Sequence, residues 1–249
     1  MIRIEKTEVL GWKAAIRGMR NPMNSWDKSD STFITLNYCD TLDELHLIEL
    51  CGGNAPKLGP NDLGLMMGLR NAGTDHRKFM RMITVYADIL APLYWWKEFD
   101  TYKIGTVVNS CSTMHKIHEK EFTLEDFSCE HLISDPTREV EMDIQVSDCE
   151  GYKWYSPKEI LSDWIVPSLN SCREKYLETK DKKYWWQMIQ LLPTSYNQRR
   201  TVMLNYEVLA NIYKSRKNHK LDEWHNLCDW IETLPYSELI TGEKGENNA

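Results

Sequence analysis

The chain has 249 residues, 42% of them hydrophobic, and a formal net charge of −7, enough apolar material for one large domain or two small ones. The acidic balance and the lack of a Lys/Arg-rich block exclude a surface built to hold long nucleic acid, but not a local basic pocket for one phosphate. No apolar run approaches the roughly 20 residues that span a bilayer, and MIRIEKTEVLGWK has no signal-peptide core, so a cytoplasmic protein without a membrane partner is expected.

In chain order, IRIEKTEVL reads as a strand and is followed by GWKAAIRGMR and by the turn cluster NPMNSWDKSDS, whose Asn, Pro, Ser and Asp suit loops and caps. Thr41 is placed to cap the helix DELHLIELCGG, with Gly52 and Gly53 ending it. NDLGLMMGLRNAG carries Leu63, Met66, Met67 and Arg70 at helical spacing and stops at Gly73. MITVYADI, rich in β-branched and aromatic residues, reads as a strand, and Pro92 then suits the first turn of the helix PLYWWKEFDTY. Residues 118–151 are acidic and turn-rich, without a strong period, and are expected as a surface excursion. Helices are expected again over SPKEILSDWIVPSLNSCREKYLE, KKYWWQMIQLLP, RTVMLNYEVLANIYKSRK and LDEWHNLCDWIETL. With no repeat and no linker, a single domain over 1–249 is the simpler expectation.

In the third of these helices Leu209, Ile212 and Tyr213 form an apolar stripe that Arg216 extends. Arg216 either complements the helix dipole in the last turn or binds an anion, for which a planar guanidinium is suited. Asn211, five residues earlier, offers an amide donor and acceptor. The seven cysteines are odd in number and contain no CxxC, which fits reduced thiols better than a disulfide frame or zinc site. His115 and His118 lack a third ligand in view, so no metal is expected. The tryptophan pairs at 95–96 and 185–186 are expected to pack rather than to stack on a ligand, and Cys111 has no evident activating base.

Several segments together resemble the flavin-dependent thymidylate synthases. HRKFMR from His76 precedes MITVYADIL and then Ala91 and Pro92. NSCSTMH, Asn109 to His115, keeps the Asn and Ser of the family's NExSxRY stretch. Leu192 and Pro193 precede Asn205, Asn211 and Arg216 at the family's spacing. The resemblance covers roughly residues 62–232. It implies an α+β fold with a mixed sheet flanked by helices, in a homotetramer that binds FAD and the pyrimidine nucleotide dUMP. The implied reaction transfers a methylene from methylene-tetrahydrofolate to C5 of dUMP and reduces it with flavin hydride, which NADPH replenishes.

Carried over residue by residue, the resemblance implies flavin contact for His76 and Asn211, phosphate contact for Arg216 and Lys103, and substrate orientation in catalysis for Asn109 and Ser112. The chain departs from the pattern elsewhere. Lys78 stands for a small hydroxyl residue, Arg81 for a Glu, Glu98 for a Gln and Ile189 for an Arg. The RHRxxS stretch falls on Thr101 to Thr106, where Lys103 is the one cation, and Ser110, Met114 and His115 replace the Glu, Arg and Tyr of the next motif. Each charge-assisted hydrogen bond lost this way removes about 1.5–3 kcal/mol of nucleotide binding. Three readings follow: a divergent synthase, a re-purposed or inactive nucleotide-binding homo-oligomer of the same fold, or a structural homo-oligomer without a small ligand.

Overall fold

The computed structural model describes residues 2–134, 144–148 and 151–242; side chains of 144–148 and 151–154 are outside the description. In chain order the elements are β1 (Arg3–Leu10), α1 (Trp12–Arg20), β2 (Thr32–Ile34), α2 (Leu42–Leu50), β3 (Ala55–Lys57), α3 (Pro60–Asn71) and β4 (Thr84–Pro92). Then come α4 (Leu93–Phe99), β5 (Val107–Ser110), β6 (Ile144–Asp148), β7 (Gly151–Tyr155), α5 (Pro157–Glu159), α6 (Val166–Thr179) and α7 (Lys182–Leu191). The chain closes with β8 (Asn197–Asn205), α8 (Tyr206–Arg216), α9 (Asp222–Glu232) and α10 (Glu238–Thr241). The α+β class expected from the sequence holds. Among the described residues no helix is long and apolar enough to cross a membrane.

The described chain resolves into two compact units, one holding 91–98 and 110–199 and the other 2–90, 99–109 and 200–242. The chain passes from one to the other within β4, α4, β5 and β8, so no linker composition marks the boundaries. The four-stranded sheet has the order β1-β4-β8-β5. β1 and β4 are antiparallel, with Val9 opposite Val85 and Ile4 opposite Ile89, and a register shift between Glu5 and Glu8.

In the larger unit, α1 buries Trp12, Ala15, Ile16 and Met19 and packs on the 3-10 segment Arg77–Met82. Gly11 starts α1 at φ +96°, and a side chain there would collide with the Met82 carbonyl oxygen, so this turn admits only glycine. Trp12 meets Tyr206 edge to face at 5.4 Å, and the Tyr206 hydroxyl donates to the Pro235 carbonyl. Thr41 caps α2 as expected, its hydroxyl accepting from the Glu44 amide at 3.1 Å, and Gly52 and Gly53 end that helix at φ +63° and +88°. The Gly53 amide donates to the Ile48 carbonyl at 2.8 Å, the six-to-one bond of a Schellman ending. Cys51 beside it is buried, and burial pushes its thiol up to about 12; burial likewise raises Cys228 to about 11.

Asp62, in the first turn of α3, organises the 24–31 loop of this unit. Its carboxylate is fully buried and accepts from Arg20 Nε at 2.7 Å, the Ser29 and Ser31 hydroxyls, and the backbone amides of Asp30 and Ser31. Asp30 in turn accepts from the Asn61 and Asp62 amides, capping α3 from outside its own sequence.

The expected helix over 200–217 begins later than the periodicity suggests. Residues 200–205 belong to β8, where Val202 and Leu204 are buried and alternate with more accessible neighbours. The β-branched and apolar alternation outweighs helix propensity once a neighbouring strand is present. The helix starts where Asn205 accepts from the Val208 amide at 3.0 Å, a favourable N-cap.

In the smaller unit, Ile117, Phe122, Phe127, Leu161, Leu169 and Met188 form one apolar cluster. The stretch expected as a surface excursion therefore buries two of its phenylalanines here, while 135–143 and 149–150 lie outside the described residues. Trp95 and Trp96 are fully buried, 4.9 Å apart and edge to face, whereas Trp186 is exposed.

Candidate functional site

The 3-10 segment Arg77–Met82 lies against α8, both in the larger unit. Glu207 and Asn211 are four apart on α8 and share a face, as Arg77 and Arg81 are four apart on the facing segment. Glu207 is buried in the first turn, where a carboxylate suits the helix dipole. Two guanidiniums meet it. Arg77 Nε donates to Oε1 at 3.3 Å, and Arg81 donates through Nε to Oε2 and through Nη2 to Oε1. That hydrogen bond, followed by the Glu207 charge, raises the Arg81 pKa. Arg77 Nη2 also donates to Asn211 Oδ1 at 3.0 Å.

Beside this cluster is a cleft of about 530 Å³ lined by Arg70, Asn71, Gly73, Arg77, Asn211, Lys214, Lys217 and Thr241 among others, none of them carboxylates. Its size is within the roughly 300–1,000 Å³ usual for small-molecule sites. Arg70 is held by the Leu239 and Ile240 carbonyls at 3.1 and 3.0 Å and by Asn71 Oδ1. Burial, then the charge of Arg77, pushes the Arg70 pKa down. Crowded cations with no carboxylate in the wall itself favour an anionic occupant, because a concave wall focuses their field. Lys214 forms no ion pair among the described residues, while Lys217 lies over the Tyr213 ring at 5.0 Å.

The structure brings some of the expected residues together. His76 is exposed, directly precedes Arg77, and its amide donates to the carbonyl of Gly73 in the cleft wall; Asn211 is joined to the same segment through Arg77. Arg216 and Lys103 are related through Tyr102. Arg216 Nε donates to the Tyr102 hydroxyl at 2.9 Å, and its guanidinium lies 4.6 Å from the Trp224 ring centre. Lys103 and Tyr102 line a shallower depression of about 440 Å³ with Phe99, Asp100 and Thr106. Asn109 is exposed on β5 in the larger unit. Ser112 belongs to the smaller unit, where its hydroxyl oxygen accepts from the Met114 and His115 amides at 3.2 and 2.9 Å, a local turn.

Arg216 thus has aromatic partners that neither sequence-level alternative included. A cation over a tryptophan face contributes about 0.5–2 kcal/mol and its hydrogen bond about 1 kcal/mol. Arg216→Ala should lower the unfolding free energy by about 1–2 kcal/mol in urea titration. A change under about 0.5 kcal/mol would show the stack to be energetically idle.

Sequence reasoning missed Arg77, Glu207 and the cationic cleft wall. The available signal was the pairing of Arg77 with Arg81 at i,i+4 against Glu207 with Asn211 at the same spacing. Charge complementarity between segments 126 or more residues apart is not visible until the fold joins them.

No protein-family model matches the chain, and no curated protein matches it by sequence. Solved structures match by shape. A Helicobacter pylori thymidylate synthase ThyX with FAD and dUMP is 17% identical, with a TM-score of 0.57, covering 95% of this chain and 98% of its own. A second structure of the flavin-dependent ThyX from the same organism, complexed with FAD and dUMP, is 14% identical, with a TM-score of 0.58 over 97% and 98%. A UMP/dUMP methylase, PolB from Streptomyces cacaoi, bound with 5-Br dUMP, is 13% identical, with a TM-score of 0.54 over 97% and 94%. The chain therefore has the α+β fold of the flavin-dependent thymidylate synthases, over nearly its whole length.

Proposed function

We propose that this chain is a pyrimidine-nucleotide-binding protein of the flavin-dependent thymidylate synthase type, methylating dUMP at C5 as a homotetramer. The observation that carries the reading is the cleft of Arg70, Arg77, Lys214 and Lys217 with no carboxylate in its wall. Such a wall suits a phosphate or pyrophosphate group, and the chain shares its fold with structures solved with FAD and dUMP.

The same donor set fits a flavin dinucleotide. Arg77, Lys214 and Lys217 would hold its phosphates, and Asn211 and His76 would contact the remainder. When bound, the flavin supplies hydride, replenished by NADPH, to reduce the methylene that folate donates. The chain's own residues bind and orient: Lys103 and Arg216 at the nucleotide phosphate, Asn109 and Ser112 at the base. Ser112 accepts two backbone bonds but keeps its hydroxyl proton to donate.

Full-length protein titrated with FAD should quench flavin fluorescence, and calorimetry with dUMP should show saturable binding that weakens with salt. A colourless preparation that binds neither ligand would overturn the reading. The loss of every cation but Lys103 across 101–106 favours a second reading, a nucleotide-binding relative without the methylating activity. Rescue of a thymidine-requiring strain separates the two: growth supports the synthase, and failure despite dUMP and FAD binding supports the second.

A further inference from the structure

We propose that Glu207 is a positioning residue that, with the Asn211 side-chain amide oxygen, holds the Arg77 guanidinium in one plane so that Nη1 faces an anionic ligand in the cleft. This rests on the reading of that cleft as an anion site. The geometry accounts for each nitrogen of Arg77. Nε donates to Glu207 Oε1 and Nη2 to Asn211 Oδ1, while Nη1 makes no hydrogen bond among the described residues and Arg77 lines the cleft. A guanidinium tethered at two of three nitrogens cannot rotate about its stem, so the entropy of presenting the third is spent before a ligand arrives.

Glu207 can hold this position because it is itself fixed. It is 7% exposed, starts a helix whose axis is set by the Asn205 cap, and takes its second guanidinium from Arg81, which is half exposed. Arg81 offsets the carboxylate charge, so Arg77 is oriented by Glu207 without being neutralised by it. The same bond fixes the Asn211 amide with its oxygen toward Arg77. Its nitrogen, which makes no hydrogen bond among the described residues, is left to donate to the ligand.

Positioning and simple electrostatics predict opposite signs. Removing a carboxylate next to a cationic cleft raises its positive potential and should tighten anion binding. If Glu207 orients Arg77, Glu207→Gln should instead weaken FAD binding about 5- to 10-fold by calorimetry on the full-length protein. In an Arg77→Lys background, where there is no plane to hold, the same change should alter Kd by less than about twofold. Equal or tighter FAD binding by Glu207→Gln, or an undiminished effect in the Arg77→Lys background, would overturn the proposal.

Should Glu207→Gln not fold, Asn211→Ala at its exposed position carries the test. Combined with Arg77→Lys it should fall short of the product of the separate effects by at least about threefold, and simple multiplication would overturn the clamp. Wild-type protein that binds neither FAD nor inorganic pyrophosphate removes the anion reading and the clamp together. Wild-type binding with unaffected variants removes the clamp alone.

Discussion

Asp62→Ala should destabilise the protein by about 3–5 kcal/mol, the range found when one partner of a buried ion pair is removed. The reason is the asymmetry of what remains. Arg20 is 4% exposed, with Nη2 at 2.6 Å and Nε at 2.7 Å from the same carboxylate oxygen. Without Asp62 that charge is left in the interior, together with the hydroxyls and amides of the 29–31 loop that the carboxylate gathered. Differential scanning calorimetry should show a fall of roughly 10 °C, and a fall of less than about 2 °C would show that the loop finds other partners.

The same carboxylate has an acid signature. Burial pushes the Asp62 pKa up, but the hydrogen bonds from Ser31, Ser29 and Arg20 outweigh it and leave the group below the ordinary carboxylate value. A depressed folded-state pKa contributes stability that is present above the unfolded value of about 3.9 and is lost as pH falls through the folded value. Asp62→Asn should therefore lose stability at neutral pH while losing part of the wild-type slope below about pH 4. Parallel acid limbs in urea titrations of the two proteins would contradict the assignment.

The second large effect concerns binding. Arg77→Ala should weaken FAD affinity by about 10- to 100-fold, because a charge-assisted hydrogen bond in a partly enclosed site contributes about 1.5–3 kcal/mol. The substitution also leaves Glu207, until then shared, with Arg81 and turns part of its field toward the ligand. Lys214→Ala, by contrast, removes an exposed charge whose attraction is screened beyond about 8–10 Å at physiological salt. Its effect should be a few-fold and should shrink as salt rises. If Arg77→Ala and Lys214→Ala behave alike, the guanidinium is acting as a point charge only, and its fixed plane is irrelevant.

Local features of the fold were legible where chemistry is local. The Thr41 cap, the Gly52–Gly53 ending, α3 stopping at Gly73, and β4 all follow from residues within a few positions of one another. Strand β8 was not legible, because TVML reads as either period until a neighbouring strand fixes its face. The order β1-β4-β8-β5 joins segments some 100 residues apart, which no single-sequence pattern encodes. The site divides the same way. His76 and Asn211 are named by motif position, but the residue that connects them, Arg77, was passed over because its partner lies 130 positions on. Arg216 was read from the sequence as a helix-dipole complement or an anion ligand. Its partners in the fold include the Tyr102 hydroxyl and the Trp224 indole face, and the sequence does not pair Trp224 with a helix ending eight residues before it.

The helix ending at Gly52 and Gly53 has a practical consequence for measuring the protein's openings. Burial pushes the Cys51 thiol up to about 12, so it stays a thiol rather than a thiolate at neutral pH, while Cys111 is exposed and Cys39 half-buried. An alkylating reagent therefore marks the accessible thiols at once and reaches Cys51 only during the moments when α2 detaches. Peptide-resolved mass spectrometry of the Cys51 adduct would give a native clock for that opening, without any label being engineered.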